Sequence, residues 1–132
     1  MKLAALFLAS LLSLPVSTLA KTPIDRLQVP EGFTVEVLVE DLDNARAMAL
    51  ADQSTLFVGT RDAGNVYALE LKDGQLRKRH TIASGLRMPS GLAFSEGSLY
   101  VAAVSTILRY DNITTSLNAP GEPAIVTDQL PS

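Results

Sequence analysis

Two arginines and one histidine are the residues of this chain with the best claim to chemistry. Arg46 stands in Asn44-Ala45-Arg46-Ala47-Met48-Ala49-Leu50, among small apolar neighbours. A guanidinium there is costly to bury unless an anion meets it, and its planar fork suits a carboxylate. A salt bridge to Asp41 or Asp43 would satisfy the same arginine, and the spacing leaves both readings open. Arg61, in Gly59-Thr60-Arg61-Asp62-Ala63-Gly64, is a loop arginine whose neighbour Asp62 offers it a solvated partner. His80 is the single histidine. It follows Arg77-Lys78-Arg79 in a segment expected at the outer edge of a sheet, where a surface or packing role outweighs that of a general base. The chain shows no Ser/His/Asp arrangement, no phosphate-cradling glycine loop and no metal-ligand spacing, so no catalytic or metal residue is named.

The elements that must position these residues repeat. Val37-Leu38-Val39-Glu40-Asp41-Leu42, Thr81-Ile82-Ala83-Ser84-Gly85-Leu86 and Ile125-Val126-Thr127-Asp128-Gln129-Leu130 each close an apolar run with a polar pair and a leucine. Those leucines recur every 44 residues. A period of about 40–45 residues built from short strands is the mark of propeller blades. Within the first unit, 47–51, 55–60, 65–71 and 80–83 read as strands, and Asp73-Gly74 marks a tight hairpin. The second unit repeats the order. Gly91-Leu92-Ala93-Phe94 opens it, Glu96-Gly97 turns it, and Leu99-Tyr100-Val101 and Ile107-Leu108-Arg109-Tyr110 continue it. The stretch 112–122, rich in Asn, Thr, Ser, Pro and Gly, reads as an inserted loop.

The fold expected is therefore all-β: a β-propeller of which about two blades are encoded, plus an orphan outer strand over 33–39. A self-contained β-domain that pairs that strand internally is the competing architecture. Blades bury their faces only against neighbours, so two alone should leave apolar surface exposed. In this geometry the first strand of each blade lines the central channel. That places Asn44, Ala45 and Arg46, and then Met88, Pro89 and Ser90, at the channel mouth.

Bulk properties narrow the setting. Met1-Lys2, an apolar run from Leu3 to Leu14 and Thr18-Leu19-Ala20 have the form of a secretory signal peptide over 1–20, leaving 21–132 as the start of the propeller; a retained N-terminal anchor is the alternative. The chain has no cysteine, which removes thiolate chemistry and disulfides and suits a bacterial periplasm. With 11 basic and 14 acidic residues, nucleic-acid binding has little support, and no membrane association is expected after signal cleavage.

The run EGFTVEVLVEDLDNARAMALADQSTLFVGTRDAGNVYAL, followed by ASGLRMPSGLAFSEGSLYVAAVSTILRYD, resembles the start of soluble quinoprotein glucose/sorbosone dehydrogenases and pyranose dehydrogenases. The resemblance covers about Val29 to Ser132. It implies a six-bladed propeller that binds pyrroloquinoline quinone (PQQ) and oxidises a sugar hydroxyl, passing electrons on to an acceptor. It also implies that Arg46, and more weakly Arg61, contact the carboxylates of PQQ. The family's catalytic histidine follows a leucine-proline motif, matched here by Leu130-Pro131, so base and calcium ligands are expected beyond Ser132. The resemblance departs at Ser90, where relatives often carry an amide, and at Ala103, where an acid is expected. The polypeptide is accordingly expected to be an inactive N-terminal portion of such an enzyme. A non-catalytic propeller scaffold and a gene fragment without its own role are the alternatives.

Overall fold

A computed structural model describes residues 24–131; the expected signal peptide lies outside them. The chain divides into two compact units, Met1–Glu36 and Val37–Ser132. In the first, the described residues form one 3-10 turn, Ile24–Arg26, followed by irregular backbone with a turn closed by Phe33 N donating to Pro30 O.

The second unit is all antiparallel β. Strands β1 (Ala45–Asp52), β2 (Thr55–Thr60), β3 (Val66–Lys72) and β4 (Gln75–Ala83) form one four-stranded meander. Strands β5 (Gly91–Ser95), β6 (Ser98–Ala103), β7 (Thr106–Tyr110) and β8 (Ala124–Thr127) form a second in the same order. The turns follow from their sequences. Asp73 and Gly74 have φ of +53° and +75°, and Glu96 and Gly97 +49° and +79°, the paired positive values that a two-residue hairpin of matching twist requires.

Of the three similar phrases, the second and third are fourth strands, ending β4 and forming β8. The first is not: no strand is found over 33–39, which corrects the expected orphan strand. The alternation is present, but a strand exists only as part of a ladder, and these backbone groups join none. Phe33 is 69% exposed there.

The sheets pack through one shared core. Phe57, Val66, Ala68 and Ile82 of the first meet Leu99, Val101, Leu108 and Tyr110 of the second. Phe57 and Phe94 stack across the join at 6.0 Å between ring centroids. First strands are neighbours: β5 packs beside β1 and β2. The inserted loop is ordered, forming a 3-10 turn at Ile113–Thr115 and sending Ile113 and Leu117 into the core. The opposite face of β1 is open, with Met48 69% and Leu50 60% exposed.

Candidate anion site at the strand entrances

The register of β1 on β2 creates the site. Ala45 pairs with Thr60 and Ala47 with Gly59, so Arg46 is the extra residue of a β-bulge. A bulge leaves its residue out of the ladder and re-aims the side chain, a device common beside binding sites. Arg46 is exposed, and among the described residues no carboxylate lies within salt-bridge distance of it. Of the two readings open in the sequence, the pair with Asp41 or Asp43 is not formed. Asp41 instead offers its carbonyl to Arg79 Nη1 at 3.1 Å.

Arg61 stands at the same end. Its backbone N–H donates to Asn44 O at 2.9 Å, tying the β2–β3 turn to the entrance of β1. The turn is braced from within: Thr60, fully buried, donates Oγ1 to Asn65 O at 2.8 Å and accepts from Asn65 N at 2.7 Å. The Arg61 guanidinium lies 3.7 Å from Asp62, with both side chains more than half exposed. This is the solvated pair that the sequence suggested, and it weakens Arg61 as an anion ligand.

The entrance of β5 comes to the same place. A Cβ on Gly59 would sit 2.3 Å from Pro89 O, and one on Gly64 2.6 Å from Leu86 O, so the chain leading into β5 runs directly over the end of β2. Ser90, half-buried, donates its N–H to Met88 O at 2.7 Å. Asn44, Arg46, Arg61 and Ser90 thus belong to one end of the paired sheets. Ala103, the other departure, is a buried core residue preceding the β6–β7 turn.

His80 is elsewhere. It lies on β4, 6% exposed, with Nε2 donating to Glu70 Oε1 at 2.7 Å. The packing role is the one it plays; its partner Glu70 was not evident in the sequence. Among the described residues no group of three or more His, Cys, Asp or Glu could hold a metal ion, and no helix is long and apolar enough to cross a membrane.

Comparison with known proteins adds one relative. The chain is 26% identical over 114 residues to an uncharacterized protein of Borreliella burgdorferi, a match covering 86% of this chain and 28% of that protein. The chain therefore spans little more than a quarter of the length of the relative it matches. No family model and no solved structure matches the chain.

Proposed function

We propose that the two sheets are neighbouring blades of a six-bladed β-propeller, and that the chain is the N-terminal portion of an exported PQQ-dependent sugar dehydrogenase. One observation carries the reading: Arg46, lifted out of the ladder by its bulge, presents an exposed guanidinium without an ion-pair partner among the described residues, where two first strands begin. Adjacent first strands and one shared core between consecutive meanders support the blade arrangement.

The residues present fit an anionic planar cofactor. Arg46 offers a two-pronged donor to a carboxylate, and Ala45 and Ala47 on either side leave room for it. Arg61 gives a second, partly neutralised charge. When bound, the quinone supplies the hydride acceptor; the protein contributes binding and orientation. His80 does not serve as the base, being buried and held by Glu70. In this reading the base, the calcium ligands and the sugar contacts belong to later blades.

Titration of the chain with PQQ tests the proposal. Saturable binding is expected, weakened about tenfold by Arg46→Ala, the loss of one charge-assisted contact, and less by Arg61→Ala. Glucose with a dye acceptor should give no turnover from the chain alone. Absence of quinone binding, or binding indifferent to Arg46→Ala, would overturn the reading in favour of a non-catalytic scaffold.

A further inference from the structure

A cavity lies in the groove between the sheets, bounded by the end of β4, the strand β7 and the approach to β8. Its volume is about 370 Å³, within the range that takes small molecules. None of Asn44, Arg46, Arg61 and Ser90 lines it.

Tyr110 is its most unusual feature. The residue is 4% exposed, and no described residue hydrogen-bonds its hydroxyl, yet that oxygen is not sealed from solvent. Tyr110 is one of the residues that line the cavity. Buried hydroxyls ordinarily find a partner, so one left free at a cavity wall is an acceptor and donor held ready. Glu122 lies on the same wall and is the only charged side chain among the lining residues. Burial first, and the Glu122 charge second, push the Tyr110 hydroxyl above its ordinary value, so it stays a neutral O–H. Leu86, Leu108 and Pro123 give the lining its aliphatic part, beside the polar Thr81 and Ser84.

From these groups we infer that the inter-sheet cavity is a binding site for a primary ammonium on a short aliphatic stem, with Glu122 pairing the charge, Tyr110 accepting a hydrogen bond and Leu86, Leu108 and Pro123 covering the stem. An anion is disfavoured because no cationic side chain lines the cavity and a carboxylate does. The ammonium could come from a free alkylamine or from a lysine side chain, and both present the same chemistry. This inference is independent of the quinone reading and survives its failure.

Calorimetric titration of the full chain with n-butylammonium, n-butanol, n-butyrate and N-acetyl-lysine methylamide tests it. Saturable binding of n-butylammonium is expected, with butanol and butyrate at least about tenfold weaker, as loss of a charge-assisted contact implies. Binding by the lysine compound as well would assign the site to a peptide side chain; binding by the free amine alone would assign it to a small metabolite. Binding should also perturb the tyrosine ultraviolet spectrum, and Tyr110→Phe should abolish that signal. Glu122→Gln, at an exposed position that cannot unfold the core, should weaken n-butylammonium about tenfold. Equal binding of butanol, no saturable binding of either amine, or indifference to Glu122→Gln would overturn the inference.

Discussion

Gly59 of β2 faces the carbonyl oxygen of Pro89 so closely that a Cβ would stand 2.3 Å from it, with Leu92 Cγ at 3.2 Å. This approach, from backbone to backbone, sets how near the second sheet comes to the first. Neither partner is a flexible side-chain end that could swing aside. Gly59→Ala should therefore force the sheets apart and destabilise the protein by about 2 kcal/mol, in the range measured for overpacked cores. Thermal unfolding checks it, and a melt unchanged from the parent would show the contact to be looser than this.

The Glu70–His80 hydrogen bond predicts a different kind of loss. The imidazole is nearly inaccessible, while the Glu70 side chain is 42% exposed. Glu70→Ala strands a buried ring nitrogen and should cost about 1–2 kcal/mol in denaturant unfolding. His80→Leu removes the polar group together with its need for a partner. The Glu70→Ala change made in that background should then be nearly silent.

Acid sensitivity has a definite source. Asp111 is held below the usual carboxylate range by hydrogen bonds from Arg109, at 2.7 and 3.1 Å, and then from Ser98 at 3.0 Å. A carboxylate whose folded pKa is depressed stabilises the fold above its unfolded pKa, and that contribution is lost as pH falls through the folded value. Asp52, lowered by Ser54 through its hydroxyl and then its backbone N–H, acts in the same direction. Unfolding followed from neutral pH down through the carboxylate range should show stability falling on the acid side. Asp111→Asn should flatten that slope.

Val104 carries backbone strain. Its φ is +52°, in a two-residue turn between Ala103 and Thr106, and a β-branched residue is poorly suited to that region. Val104→Gly should stabilise by about 1 kcal/mol, since the relief of roughly 1–2 kcal/mol is partly offset by the greater freedom of glycine in the unfolded chain. A raised melting temperature is the expected outcome.

Periodicity and turn chemistry made both four-stranded meanders legible, because Asp73-Gly74 and Glu96-Gly97 carry their conformation in their residue types. The bulges were not legible. From the Asp73-Gly74 hairpin alone, Glu70 would face Arg77, and His80 would fall on the opposite side of the sheet. The observed shift between Glu70 and Leu71 puts Glu70 opposite Lys78 instead and brings His80 to its own face. The bulge at Arg46 is equally silent in the sequence, so its exposure, and its lack of an ion-pair partner among the described residues, emerge only with the register. The run over 33–39 misled for the opposite reason: its alternation is that of a strand, but pairing is a property of the neighbour as well. Tyr110 and Glu122 are separated by the insertion, whose return path no local pattern encodes.

That insertion does more than fill a gap. Ile113 N donates to Gly97 O, Ile113 and Leu117 are buried in the common core, and Lys78 Nζ donates to Asn118 Oδ1 at 2.8 Å, reaching from β4 to the loop. A stack of repeats can ordinarily fray one module at a time. Here the excursion latches the second module onto the first, so the pair should melt in a single step.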